Sequence, residues 1–311
     1  MDGARAGASM ANVRNSSPGA KRQRIPQPHK ETMKTKMILS LALLAATLAP
    51  ATAQELLAGL GPKNKLVLFT SSDPGSVEVI KITGLPKGEA LLGIDRRPAT
   101  GQLYALGKTS RLYTINTETG AATAIGSAPF TPALSGTRFG FDFNPTVDRI
   151  RIVSNTGQNL RAHPDTGAIA FTDLNLVYAN GDAAAGATPD ISGSGYTNSV
   201  SPTPLSTTLF NIDAGRDTLV TQSPPNDGVL NTVGALGLNV TNNIGFDIAG
   251  SNGVAYASLQ KKLKFGKSKR ASLYTVNLTT GAATLVGPIA GPAALLDLTA
   301  MGSVATAASA E

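Results

Sequence analysis
The chain has 311 residues, with 27 Lys and Arg against 20 Asp and Glu and a formal net charge of +7. It contains no Cys, no Trp and only 2 His, which removes thiolate nucleophiles, Cys-ligated zinc and His-rich metal sites from consideration. Residues 1–53 hold eight of the basic residues and two of the acidic ones, leaving 19 and 18 in the remainder, so the basic balance is no argument for nucleic-acid binding.

Residues 1–32 are polar and basic, without periodicity, and read as a disordered upstream extension or a long n-region. Met1, Met33 and Met37 are the alternative starts. From Met33 the sequence MKTKMILSLALLAATLAPATAQ has the form of a signal peptide. Lys34 and Lys36 precede an apolar run, and Ala51-Thr52-Ala53 places small residues for cleavage between Ala53 and Gln54. That apolar run is too short for a bilayer-spanning helix. The expectation is an exported protein, periplasmic or extracellular. A lead-in over 54–64 follows, in which Gln54–Leu60 is the one segment that allows a short helix.

Strands are expected over Lys65–Thr70 and Val77–Thr83, with Ala90–Leu92 leading into a glycine-hydrophobic-aspartate step. Four stretches then repeat one pattern: Leu91–Gly126, Arg138–Asp173, the more divergent Gly195–Gly234, and Asn243–Gly287. A repeat of about 40–50 residues holding four short strands is the mark of a β-propeller blade, because one such sheet cannot bury its faces alone. The NTETG and NLTTG turns suit tight hairpins. Leu295–Met301 reads as an isolated innermost strand that pairs with the N-terminal strands. The expected architecture is therefore all-β, a propeller of five four-stranded blades closed by the C-terminal strand, with a six-bladed or open ring as the alternative. Residues 302–311 read as a flexible tail.

The blocks LLGIDRRPATGQLYALG, NGDAAAGATPDISGSGYTNS and TTLFNIDAGRDTLVTQSPPNDGVLNTVG closely resemble the bacterial family known only as the DUF4394 domain, over nearly all of Lys65 to Met301. The resemblance implies an extracytoplasmic, propeller-like domain and supplies no catalytic residues. The basic insert near Lys261 is not expected as a constant of that family.

Three groups of residues are candidates for chemistry. Asp95, Asp142, Asp247 and Asp297 fall at what the pattern aligns as one place in four innermost strands, with Thr197 or Asn198 near it in the third. Converging on a channel they would offer hard oxygens to Ca2+; otherwise each accepts hydrogen bonds from the turn that follows it. The connection Leu174–Gly195, preceded by Asp173 and carrying Asp182 and Asp190, is long enough to be a binding or capping loop, but lacks the alternating ligands of an EF-hand. Lys261, Lys262, Lys264, Lys267, Lys269 and Arg270 place six positive charges in ten residues between the second and third strands of the fourth blade. They suit an anionic envelope component, or form a solvated loop. No G-x-S-x-G elbow or phosphate-loop fingerprint is present, and His163 lies in a turn, HPDTG. The expected function is a non-enzymatic binding or scaffold module of the bacterial envelope. It is expected to be a monomer that neither spans the membrane nor binds nucleic acid, with an anionic envelope component or a protein as partner. The alternative is a Ca2+-dependent hydrolase or lyase working from the channel.

Overall fold
A computed structural model describes residues 54–305. The leader, its Ala53–Gln54 cleavage point on the Ala53 side, the upstream extension and residues 306–311 lie outside the described residues. Twenty-one strands form five sheets, which are the five expected blades. Blade I is β4 (Leu91–Arg96), β5 (Leu103–Gly107), β6 (Arg111–Ile115) and β7 (Ala122–Ile125). Blade II is β8 (Phe139–Asn144), β9 (Arg149–Ser154), β10 (Asn159–Ala162) and β11 (Ile169–Thr172). Blade III is β13 (Ile191–Tyr196), β14 (Leu209–Asp213), β15 (Thr218–Gln222) and β16 (Val229–Ala235), with β12 (Val177–Tyr178) added in parallel at its outer edge. Blade IV is β17 (Val240–Ile248), β18 (Ala255–Lys261), β19 (Ser272–Val276) and β20 (Ala283–Pro288).

Blade V is assembled from both ends of the described chain, in the order β21 (Asp297–Val304), β1 (Gln54–Gly61), β2 (Lys65–Thr70), β3 (Asp73–Lys81). The closing strand is where the sequence places it, but Gln54–Leu60 is a strand and not a helical turn. β1 is hydrogen-bonded to β21 on one side and β2 on the other, and its interior is buried on both faces. Burial on both faces erases the alternation that marks a half-exposed strand, leaving a short apolar run that resembles a helix segment. β21 continues to Val304, three residues into the segment read as a tail.

Each innermost strand packs beside the next, from β21 through β4, β8, β13 and β17 back to β21, so the ring is closed and all five strands run the same way around the channel. One hydrophobic cluster fills each of the five joints between blades. Between blades I and II, for example, Tyr104 meets Phe143 edge to face with ring centroids 5.0 Å apart, among Leu106, Phe141 and Ile152. The stabilising apolar contact is therefore between sheets, as expected for sheets whose two faces must both be covered. Outer hairpins close through repeated turns. In NTETG the Asn116 Oδ1 accepts hydrogen bonds from the Glu118 and Thr119 amides, and Gly120 takes φ 72°. Asn277 and Gly281 repeat this in blade IV.

Candidate functional site
The aspartates lie where the glycine-hydrophobic-aspartate steps bring innermost strands closest. A Cβ on Gly93 would meet Phe141 of the next blade at 2.7 Å; on Gly140 it would meet the Ser194 Cβ at 2.8 Å; on Gly193, the Phe246 Cβ at 3.0 Å; and on Gly245, the Leu298 Cβ at 2.5 Å. Phe141, Ser194, Phe246 and Leu298 are thus equivalent positions. Asp142, Gly195, Asp247 and Thr299, each one residue further on, are equivalent too.

This corrects the alignment drawn from sequence. Asp297 stands in the glycine slot of blade V, two residues before the aspartate slot, which Thr299 fills. In blade III that slot holds Gly195, not Thr197 or Asn198. The innermost strand of blade III also begins at Ile191, inside the segment Leu174–Gly195 that reads as a loop, because small residues replace the usual apolar ones. The alternation of a strand still points Asp297 to the same side as Thr299, one step along the channel.

The hydrogen bonds follow this register around the ring. Asp95 Oδ2 accepts the Phe143 amide at 2.7 Å, Asp142 Oδ1 the Tyr196 amide at 3.0 Å, and Asp247 Oδ2 the Ala300 amide at 2.7 Å. Thr299 Oγ1 accepts the Arg96 amide at 3.2 Å. Four of the five joints are therefore bridged by a side chain of the aspartate slot reaching the residue after the same slot in the next blade. Only Gly195 leaves its joint without one. The acceptors are spent on the neighbouring blade rather than on the following turn. In addition, Asp95 Oδ1 accepts from Arg96 and Asp247 Oδ1 from Ile248, each the next residue's own amide. Asp297 Oδ2 accepts the Ile94 amide at 2.9 Å from the glycine slot.

Three of these carboxylates also converge. One oxygen from each of Asp95, Asp142 and Asp247 lies within 4.8 Å of the others, and all three residues are buried. Thr299 Oγ1 sits 2.7 Å from Asp95 Oδ1 and 3.1 Å from Asp247 Oδ2, so one hydroxyl serves two carboxylates. Among the described residues no Lys, Arg or His forms an ion pair with any of the four aspartates. Burial raises the carboxyl of Asp95 well above its ordinary value, and Asp247 adds to it. Asp142 is raised well above by burial and then by Asp95 and Asp247, Asp297 is raised well above by burial, and Asp247 is raised by burial. Such a cluster holds its protons more tightly than isolated carboxyls do, and a bound cation would relieve the same repulsion.

As donors for Ca2+ these are hard oxygens, and the Tyr196 amide is the one hydrogen bond to Asp142 among the described residues, so its Oδ2 remains open. The fit is good in chemistry and incomplete in number, since Ca2+ takes six to eight oxygens. A pocket of about 240 Å3 opens beside Asp95 and Asp247 where the innermost strands end, lined also by Glu55, Ser199, Ser201 and Ser251. Glu55 is buried, accepts the Gly302 amide on Oε1 at 2.7 Å, and is hydrogen-bonded through Oε2 to the Ser251 hydroxyl.

Glu55 and Thr299 escape sequence reasoning: neither sits at a repeated residue type, and only the register of the closing strand reveals them. Arg151 escapes it as well. It is fully buried, pairs with Asp173 at 2.6 Å, and donates to Asn159, to Asn226 and to the Tyr196 hydroxyl, tying blade II to blade III.

Asp182 and Asp190 are apart from the channel group. Asp182 pins the loop to blade III by accepting the Thr232 amide and hydroxyl and the Ala184 amide at 2.7–2.8 Å. Its slight burial pushes the carboxyl up, but the Thr232 and Ala184 bonds together bring it below the ordinary value. Asp190 is half-buried and raised by burial and then by Asp213, with Oδ1 unbonded. Lys261, Lys262, Lys264, Lys267, Lys269 and Arg270 are all exposed on one extended hairpin between β18 and β19. His163 closes the β10–β11 turn, with its Nδ1 accepting the Asp165 amide at 3.2 Å. No helix among the described residues is long and apolar enough to cross a membrane.

Similar solved structures include the glutaminyl cyclase of Myxococcus xanthus (13% identity, 73% of this chain and 92% of that chain, TM-score 0.43). A structural genomics protein of unknown function from Bacteroides thetaiotaomicron is also similar (16%, 82% and 66%, TM-score 0.47). So is an auxiliary nutrient binding protein from Bacteroides ovatus (14%, 64% and 55%, TM-score 0.39). At these identities and TM-scores none of them transfers an activity. No curated protein is significantly similar in sequence. The model of the family described as "Domain of unknown function (DUF4394)" matches residues 65–299, from β2 to the first residues of β21, and the chain belongs to that family.

Proposed function
We propose that this protein is a non-enzymatic binding or scaffold module of the bacterial envelope, exported by the leader that ends at Ala53. One observation carries the reading. The carboxylates best placed for chemistry, Asp95, Asp142 and Asp247, each accept a backbone amide of the adjoining blade. Each thereby commits one carboxylate oxygen to holding the ring together, and partners are met by the exposed connections. The partner is an anionic envelope component or a protein, met by the cations of Lys261, Lys262, Lys264, Lys267, Lys269 and Arg270.

A second reading is supported by the convergence of Asp95, Asp142 and Asp247 without a paired cation. It makes the channel a Ca2+ site and the protein a hydrolase or lyase, in which the ion would polarise a substrate carbonyl or acidify water. Asp95, Asp142 and Asp247 would hold it, and Glu55 lines the approach.

Elemental analysis of protein purified without chelator, paired with melts in calcium and in EDTA, separates the two. The scaffold reading expects no stoichiometric metal, identical melts, and capture of envelope partners that survives Asp142→Asn with Asp247→Asn. About one ion per chain and a melt that falls in EDTA would overturn it in favour of the channel site.

A further inference from the structure
Because every blade runs up, down, up and down from its innermost strand, the connections divide between two faces. Those joining second to third strands, and each blade to the next, emerge where the innermost strands begin. Those joining first to second and third to fourth strands emerge where they end.

The charges are sorted in the same way. On the first face Lys63, Lys87, Lys108, Arg216 and every cation from Lys262 to Arg270 are exposed. The carboxylates of the same connections, Glu89, Asp173, Asp182, Asp190 and Asp217, are buried or half-buried. On the second face the exposed charges of the connections are Glu118, Asp165 and Asp227, all acidic.

The hairpin extends from the basic face. It is closed by the Lys262–Ser268 bridge, with the Leu263 amide donating to the Lys267 carbonyl at 2.7 Å and the Lys269 amide to the Lys261 carbonyl at 2.9 Å. At its tip Phe265 has φ 62° and is 96% exposed, and Leu263 is 41% exposed. An aromatic ring held fully in water inside a ring of lysines is an arrangement that a soluble anion does not use, since a phosphate ion offers nothing to Phe265. A bilayer carrying anionic headgroups meets both, taking the ring below the headgroups and the ammonium groups at their level.

We propose that the propeller docks on an anionic lipid bilayer through the face where its innermost strands begin, with Phe265 and Leu263 inserted. The acidic mouth bounded by Glu55, Asp95 and Asp247 then points away from the membrane. This rests on the binding-module reading only in taking the connections as the contact surface.

The test is co-sedimentation of the protein with vesicles of phosphatidylcholine alone and of phosphatidylcholine with about one-third phosphatidylglycerol, at low and high salt. Binding is expected on the anionic vesicles only, and should weaken as salt rises. The triple variant Lys264→Gln, Lys267→Gln, Lys269→Gln is expected to lower partitioning roughly 100-fold. Leu263→Ser with Phe265→Ser should lower it on the order of 10-fold at unchanged charge. All these side chains are exposed, so the melting temperature should not move and serves as the folding control. Equal binding to both vesicle types, no binding to either, or binding indifferent to the apolar pair overturns the proposal. Failure here with envelope-protein capture retained would leave the binding-module reading standing; loss of both would remove it.

Discussion

Gly245 provides the sharpest test of the register that builds the channel. An added Cβ there would lie 2.5 Å from the Asp297 carbonyl carbon and 2.5 Å from the Leu298 Cβ, with the Leu298 amide nitrogen in contact as well. The obstacles are backbone atoms of the closing strand, which cannot rotate away as a side chain can. Overpacking of this kind costs about 1–3 kcal/mol, and the upper end applies where the neighbour is backbone. For a domain of this size about 3 kcal/mol lowers the melting temperature by roughly 6–12 °C. Gly193→Ala is the matched comparison, since its Cβ would meet the Phe246 Cβ at 3.0 Å and Ile244 Cγ2 at 3.1 Å, with the Phe246 amide nitrogen at an ordinary 3.7 Å. It is expected to cost about 1 kcal/mol, or roughly 2–4 °C. Thermal melts of the two variants under one condition decide the matter. A Gly245→Ala protein that melts with the wild type, or a Gly193→Ala protein that falls further, would refute the register.

Thr299→Val removes the hydroxyl shared by Asp95 and Asp247 and the acceptor for the Arg96 amide, and is expected to cost about 1–3 kcal/mol, with Thr299→Ser close to wild type. Equal melts for the Val and Ser variants would count against the bridging role. Asp95, Asp142, Asp247 and Asp297 have folded-state values raised above the unfolded 3.8, so their stabilising contribution is complete below that pH and is lost as pH rises through the raised values. In EDTA, therefore, Asp142→Asn should gain melting temperature relative to wild type as pH goes from about 4 to about 7. A difference that stays constant over that range would show that Asp142 does not titrate there. Asp173→Ala leaves the fully buried Arg151 without its ion-pair partner and should cost about 3–5 kcal/mol by chemical denaturation. A loss under about 1 kcal/mol would mean that Asn159, Asn226 and Tyr196 hold Arg151 without it.

The blades were legible because each is a local unit. Four strands within a few dozen residues leave their alternation and their turn residues in one continuous stretch, as at Leu91–Gly126. What was not legible depends on neighbours distant in sequence. β1 hides because burial on both faces gives it no polar side. The third blade's first strand hides because Ser192, Gly193, Ser194 and Gly195 are small to admit Ile244 and Phe246, so its pattern resembles a loop. Matching aspartate to aspartate put Asp297 in register with Asp95, whereas contact across the joint puts Thr299 there. The convergence of Asp95, Asp142 and Asp247 was readable as residue types but not as a distance, and Glu55 and Arg151 had no repeated pattern to announce them.

The position of β1 between β21 and β2 governs the order in which the molecule can be completed. The first described strand gains its inner partner only from residues 297–304, near the opposite end of the chain. Until those residues are available, blade V has no innermost strand, and the hydrophobic surfaces of blades I and IV that face it are left partly uncovered. Pairings of such long separation form late, because the loop they close costs entropy before any contact repays it. A nascent chain can thus build blades I to IV one after another yet holds an open arc, not a ring, until β21 arrives. Loss of the final few residues of β21 should behave less like trimming an end than like removing the clasp of a bracelet.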